Sequence, residues 1–428
     1  MFLVYDVIPM AKLKTVYMCS ECGAQHPKWA GQCSGCQNWN CLVEDVIDKS
    51  KPAAAQRVSS TQVRKISDVD HKVIQRFASG INEFDRVLGG GIVPGSVILL
   101  GGEPGIGKST LSLQVLAKLK LPILYVAGEE SVEQISLRAK RLELKLDNVD
   151  FIESTAVESI AATAEQTNPS LIVVDSIQVV KSLENFGVPG GISQIRAVTD
   201  ALVTLAKTKN IAMILIGHVT KDGELAGPKL LEHLVDAVLY LEGDRVHSYR
   251  FLKTIKNRFG STEDVGVFSM DSNGMQEIPD PAAEFIEERE KLVIGSALSC
   301  TTEGNRAFIV EIQALTAPSS FGHPKRSSNG FPINRLHMII AVLSKYYGVD
   351  LTGQDVFVNV TGGFRVTDTA CDLAVMKALV SSCKKQNLKH DTVYIGEVSL
   401  TGDVRKVPYQ KMRESEVKRL GFGLVGKF

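Results

Sequence analysis

No stretch of this 428-residue sequence approaches the ~18 consecutive apolar residues that a membrane-crossing helix requires. The longest apolar runs, Val97–Leu100, Leu171–Val174 and Ile211–Ile216, have the length of buried strands. Neither sign of charge is in excess: 48 Lys plus Arg against 48 Asp plus Glu give a net of zero. A globally basic nucleic-acid coat is thereby excluded, although local basic surfaces are not. Cysteine is scarce, eight residues in all, too few for a disulfide scaffold, and four of them cluster. That usage reads as a reducing, cytoplasmic setting with no membrane partner. Met1–Pro9 lacks the basic start and small-residue cleavage site of a signal peptide. The Lys-rich stretch from Met10 to Lys14 reads as a more natural beginning, with the nine residues before it an over-long start. With 44% apolar and 22% charged residues, wholesale disorder is excluded as well.

Composition separates the chain into blocks. Residues 15–45 are rich in Cys, Gly and Trp and show little apolar periodicity. Residues 46–62 read as a linker, since Lys, Pro, Ala, Ser and Gln dominate from Lys49 onward. Over 63–280 short apolar strands alternate with amphipathic helical segments, the pattern of a mostly parallel α/β sheet. Pro279, Asp280 and Pro281 punctuate its end, and 284–428 form a second α/β block with antiparallel-looking strands such as Ala307–Ala314 and Asp355–Val360.

Cys19, Cys22, Cys33 and Cys36 form two C-x-x-C pairs with ten residues between the inner cysteines. Each pair is a tight turn aiming two thiolates at one point, and two such turns complete a tetrahedral Zn²⁺ site. The segment is too short to fold on a core of its own, so the metal has to supply its stability. Cys41, Cys300, Cys371 and Cys383 read as ordinary small residues.

The strand Val97–Leu100 is followed by Gly102, Glu103, Pro104, Gly105, Ile106, Gly107, Lys108, Ser109 and Thr110, then by a predicted helix over Leu111–Lys120. This is the G-x-x-x-x-G-K-S/T phosphate loop in its required strand–loop–helix setting. The glycines let backbone N–H groups close on the β-phosphate of ATP, and the helix N-terminus adds partial positive charge. Lys108 should reach the β and γ phosphates and Ser109 should hold Mg²⁺. Asp175, at the end of the apolar strand from Leu171, suits the second Mg²⁺ contact. Glu129, at the end of the strand from Leu124, can activate the attacking water. It can equally be an acidic residue in the first turn of the helix that Ser131 introduces. His218 ends a third strand, where ligands of parallel sheets gather, and is either a γ-phosphate sensor or structural.

Together, the four-cysteine segment, the loop Gly102–Ser109, the stretches Gly217–Lys221, Ala226–Lys229 and Leu231–Asp236, and the pentapeptide Lys256-Asn257-Arg258-Phe259-Gly260 resemble the bacterial RadA (Sms) family of DNA repair proteins. The resemblance runs from about residue 15 to the end. It implies a RecA-like ATPase core in a homo-hexameric ring. It further implies ATP-dependent movement on single-stranded DNA that drives branch migration of recombination intermediates, beside a RecA-type recombinase. Glu129 becomes the catalytic carboxylate, and Lys256 and Arg258 would reach a neighbouring subunit's nucleotide or couple it to DNA. Ring ATPases do often complete a site with a cation supplied in trans, but spacing alone leaves an exposed basic turn open. The Gly-rich segments 185–191 and 221–229 would lie near the ring channel, with Arg196, Lys221 and Lys229 on DNA phosphates. Without the resemblance they read as ordinary mobile loops.

The block from about 284 resembles the proteolytic domain of Lon in fold. That domain needs a Ser activated by a Lys. At the matching turn this sequence has Ala370, flanked by Thr369 and Cys371, and a one-residue shift on a helix start turns a side chain about 100° away. Lys411 falls near the lysine's place. A non-proteolytic platform is therefore expected, with Lys325, Arg326, Arg335 and Lys345 either phosphate contacts or solvated surface. The family pattern continues for another strand and helix past Phe428, so a shortened or diverged tail is expected. Two alternatives remain: a Lon-type peptidase, and a RecA-superfamily ATPase acting on proteins, which shares the loop but normally lacks the cysteine segment and the pentapeptide.

Overall fold

Four strands that are buried along their whole length set the architecture: β4 (Val97–Gly102), β5 (Ile123–Ala127), β7 (Leu171–Asp175) and β8 (Ala212–Ile216). The computed structural model describes residues 13–48, 75–184, 190–217, 228–243, 249–280, 294–319, 323–361, 365–366 and 368–428. Three strands precede these four: β1 (Leu13–Cys19), β2 (Gln25–His26) and β3 (Leu42–Asp48). Between and after them run α1 (Asn82–Val87), α2 (Lys108–Lys118), α3 (Val132–Arg141), β6 (Val149–Ile152), α4 (Val157–Thr167), α5 (Ile192–Lys209), α6 (Pro228–Leu234), β9 (Ala237–Gly243), β10 (Tyr249–Asn257), β11 (Val265–Asp271) and β12 (Gly274–Glu277). The nine-stranded sheet has the order β12-β11-β10-β9-β4-β8-β7-β5-β6. From β9 to β6 every neighbouring pair is parallel.

Side chains alternate across a strand, and these strands use both faces. Ile98, Leu100, Tyr125, Val173 and Ile214 join one core with Leu111, Val115 and Leu116 of α2. Leu99, Val126, Ile172 and Leu215 join the other, with Ile160 of α4 and Val198 and Leu202 of α5. A sheet covered on both faces offers only its strand ends to a ligand, and the phosphate loop leaves the carboxyl end of β4.

The cysteine segment forms the three-stranded antiparallel sheet β2-β1-β3. β3 pairs with β1 as far as Asp48, opposite Leu13, so the first three residues of the expected linker are strand. Val16 and Met18 pack with Ile192 at the start of α5. The buried Asp45 carboxylate accepts the Ser193 N–H at 3.2 Å. This stands in for a cap that Gly191, the residue before the helix, has no side chain to give.

A second compact unit is made chiefly of Ile278–Phe428, with Glu263–Val267 drawn in. Its elements are β13 (Ser296–Glu303), β14 (Arg306–Pro318), β15 (Arg326–Asn329), α7 (Ile333–Tyr347), β16 (Gln354–Val360), α8 (Asp372–Lys384), β17 (Thr392–Tyr394), β18 (Glu397–Val398), β19 (Val404–Arg405), α9 (Gln410–Arg419) and β20 (Gly423–Val425). The mixed sheet runs β15-β16-β14-β13-β17-β20, with β14 antiparallel to both β13 and β16.

Two of its basic residues depart from the phosphate-contact expectation because backbone and carboxylate partners already engage them. The Arg326 guanidinium donates to the carbonyls of Leu351, at 2.7 Å, and Gln354. Arg335 forms a fork on Asp372, with Nε 2.7 Å from Oδ1 and Nη2 on Oδ2, and also reaches Glu397 at 3.3 Å. Asp372 is fully buried, and burial pushes its carboxyl up while Arg335 opposes that push. Removing the cation leaves a desolvated carboxylate without its partner. Arg335→Ala should cost about 3–5 kcal/mol in urea unfolding; a loss under about 1 kcal/mol, the range of exposed pairs, would contradict this reading.

Candidate functional site: a phosphate loop and a four-cysteine centre

The helix after β4 starts earlier than predicted, at Lys108 rather than Leu111, and ends at Lys118. Its cap residue, Gly107, has φ 115°, and no side chain caps the first turn, which holds no acidic residue. The leading N–H groups therefore face outward as anion donors. Two loop positions require glycine. At Gly102 (φ 151°) a Cβ would lie 2.6 Å from the Leu241 carbonyl, and at Gly107 it would lie 2.5 Å from the Met270 methyl. Pro104 and Gly105 form the exposed tip, while Ile106 is buried behind it.

Lys108 is buried, and its ammonium donates to the carbonyls of Gly102 (2.8 Å) and Glu103 (3.0 Å). Burial lowers its pKa to about 8, against the pull of the Asp175 and Glu129 carboxylates. Asp175 ends β7, is nearly buried, and accepts Tyr125 Oη at 2.7 Å on Oδ2. Desolvation pushes its carboxyl up, while hydrogen bonds from Ser109 and Tyr125 hold it down. The Ser109 hydroxyl and the Asp175 carboxylate are thus already adjacent, the arrangement that a Mg²⁺ ion beside a phosphate needs.

Glu129 and Glu130 are chemically separated. Glu130 pairs with Arg138 of α3 at 2.5 Å. Glu129 accepts the Ser176 hydroxyl, and its N–H meets the Asp175 carbonyl at 3.3 Å. Helix α3 begins after its cap Ser131, which forms a reciprocal box with Gln134, so Glu129 lies outside the first turn. Tyr125, Ser176 and Arg250 escaped sequence reading. The buried Arg250 Nε donates to the Ile106 carbonyl at 3.3 Å, behind the loop. Tyr125 alone left a signal, since a hydroxyl inside an apolar run needs a partner.

Lys256 and Arg258 lie at the other end of β4. Buried Asp236 accepts the Val97 N–H at 3.0 Å, where β4 begins, together with Lys207 Nζ at 2.5 Å and Arg258 Nη1 at 3.2 Å. Lys256 Nζ donates to the Glu232 and Val235 carbonyls at the end of α6, and burial lowers its pKa. Val97 and Gly102 bound β4, about 17 Å of strand. Neither cation serves the phosphate loop of its own chain. Arg196 is exposed on α5, 3.9 Å from Asp200. His218 and Lys221 lie outside the described residues, as do 185–189 of the first Gly-rich segment, and Lys229 is described only as backbone in α6.

The four cysteine sulfurs lie within 4.8 Å of one another, with Cys19–Cys36 at 3.6 Å and Cys22–Cys33 at 3.7 Å. Zn–S bonds of ~2.3 Å in a tetrahedron set sulfurs about 3.8 Å apart, so the donor set fits zinc. N–H groups of Cys22 and Gly35 point at the sulfurs of Cys19 and Cys33. His26 Nε2 sits 3.4 Å from Cys33 Sγ, an outer-shell contact. The Cys33 thiol is held down to about 6, first by the Cys36 backbone N–H and also by His26.

In the second unit Ala370 is buried at its turn, and Cys371 is fully buried with its thiol pushed well up by desolvation. Lys411, which falls near the place of the lysine in the Lon pattern, is exposed. The inward position on α9 belongs to Arg413, which is bonded to the Cys300 carbonyl, Thr302 and Asp368. The central residue of the turn, Ala370, therefore offers no nucleophile, and the basic side chain bonded to Asp368 beside it is Arg413.

The family described as "AAA domain" matches residues 64–224, and "Rubredoxin metal binding domain" matches 17–44. The DNA repair protein RadA of Halalkalibacterium halodurans is 44% identical over 420 residues, 96% of this chain and 92% of the relative. The proteins of the same name from Pseudomonas aeruginosa and Escherichia coli are 45% and 44% identical at the same coverage. A solved KaiC-like protein from Pyrococcus horikoshii aligns with 48% of this chain and 100% of its own, at 21% identity and a TM-score of 0.40. Among the described residues no helix is long and apolar enough to cross a membrane.

A polyphosphate beside Lys108 favours the ammonium, so binding and protonation are linked. ATP affinity should be level below about pH 8, where Lys108 is already charged, and fall as pH rises through that value. Binding there should take up protons, seen by calorimetry in buffers of different ionisation heat, and Lys108→Met should abolish both effects. An affinity unchanged between about pH 7 and 9.5 would contradict the assignment.

Proposed function

The chain belongs to the RadA family of DNA repair proteins, and from that premise we propose that it is a DNA-dependent ATPase that moves on single-stranded DNA and promotes branch migration of recombination intermediates. The observation that carries the reading is the division of labour along β4. The phosphate loop, Asp175 and Glu129 gather at its carboxyl end, while Lys256 and Arg258 gather at its amino end. Cations placed there suit a nucleotide bound by another copy of the chain, which a ring of identical subunits provides.

In this reading Gly102 to Thr110 cradle ATP, and Ser109 and Asp175 hold Mg²⁺. Glu129 takes the proton of the attacking water, with Ser176 fixing its carboxylate. His218 senses the γ-phosphate. Arg258, half exposed beside Asp236, can leave that pair for a neighbour's phosphate. Arg196, Lys221 and Lys229 contact the DNA backbone, with little dependence on sequence. Cys19, Cys22, Cys33 and Cys36 bind Zn²⁺. The protein works in the cytoplasm beside a RecA-type recombinase, as a homo-hexamer.

The test is ATP turnover in Mg²⁺ at low salt, with and without single-stranded DNA. Stimulation by DNA is expected; a flat response with real basal turnover would move the reading to a protein-directed ATPase. Arg258→Ala should keep nucleotide binding and lose about 10²–10³-fold in DNA-stimulated turnover. Mixing it with Lys108→Ala protein should recover activity above the sum of the two, because mixed neighbours rebuild whole sites. No recovery on mixing would contradict the role in trans.

A further inference from the structure

The cysteine segment contains a fifth sulfur. Cys41 Sγ lies 3.5 Å from Cys19 Sγ, as close as the paired sulfurs of the four-cysteine set are to each other. Cys41 is 6% exposed, and its thiol donates to the Asn38 carbonyl at 3.2 Å. It is not part of the group in which all sulfurs lie within 4.8 Å of one another. Its backbone is pinned, because Ser20 N–H donates to the Cys41 carbonyl at 2.8 Å and the adjacent Leu42 pairs with Cys19 across β1 and β3.

From this juxtaposition we infer that Cys41 is a reserve zinc ligand, which takes over the metal when the Cys19 sulfur detaches or is lost. The inference rests on the zinc reading of the four-cysteine set. Zinc accepts any thiolate that reaches tetrahedral distance. A single rotamer hop carries a cysteine sulfur about 3 Å, comparable to the separation to be closed, with no movement of the pinned backbone. Cys41 meets the set at the Cys19 corner, whereas the sulfur in contact with Cys22 is that of Cys33. A centre with a thiol in reserve keeps its metal when oxidation removes one ligand.

The experiment measures zinc per chain by elemental analysis in the purified full-length protein. The parent and Cys41→Ser should hold equal, full zinc, because Cys41 is not a resting ligand. Cys19→Ser should keep most of its zinc, Cys22→Ser should lose it, and Cys19→Ser/Cys41→Ser should lose it too. Cobalt in place of zinc should show four-thiolate charge-transfer intensity in Cys19→Ser. Under challenge with a strong chelator, Cys41→Ser should release zinc several-fold faster than the parent, a readout that leaves all four ligands intact. A parent without zinc would overturn the metal reading and the inference with it. A zinc-replete parent with a Cys19→Ser variant as empty as Cys22→Ser, or equal release rates from the parent and Cys41→Ser, would overturn the reserve ligand alone.

Discussion

The ATPase unit depends on holding one ammonium, that of Lys108, out of water at the end of a buried sheet. Desolvation works against that charge, and the Asp175 and Glu129 carboxylates work for it. The carboxylates are themselves brought there by neighbouring parallel strands, because β5 and β7 pair in register and end together, Ala127 beside Asp175. The same two-faced burial that makes these strands apolar confines charge to their ends, and the carboxyl ends carry the Lys108 cluster. A phosphate-binding site is the consequence, since a polyphosphate relieves the strain of a buried cation held against its own loop carbonyls.

The opposite end of β4 is built by different means. Asp236 is fully enclosed and gathers a backbone N–H, Lys207 and Arg258, while Lys256 closes the carbonyl end of α6. This gives the family pentapeptide a structural role within the chain, and leaves Arg258 half exposed for work elsewhere. Under the proposed function Arg258 serves stability in its own chain and catalysis in the next, two tasks that its spacing in sequence does not reveal.

Much of the site was legible because its residues follow one another. Gly102 to Thr110, the two C-x-x-C turns, the strand leading to Glu129 and the strand ending in Asp175 announce themselves by local pattern. What escaped depends on partners brought together from afar. Tyr125 meets Asp175 across paired strands, Arg250 of β10 reaches the loop carbonyl of Ile106, and Cys41 meets Cys19, contacts that no local spacing specifies. Lys411 and Arg413 show the same limit within one helix. Both are basic and two residues apart, and only the helix's rotation against β13 and β14 decides that Arg413 enters the core while Lys411 stays in solvent. The β3 strand overran the expected linker because strand pairing with β1, rather than composition, sets where it stops.

In the proposed function this charged cluster hydrolyses ATP, with Glu129 as the base. The most direct test is Glu129→Gln, assayed for ATP binding and for turnover in parallel. Glutamine can still accept the Ser176 hydroxyl but cannot take a proton from water. Binding should be unchanged, while turnover falls by about 10²–10⁴-fold. A variant that hydrolyses ATP at the parent rate would contradict the assignment of Glu129 and return it to the acidic approach to helix α3.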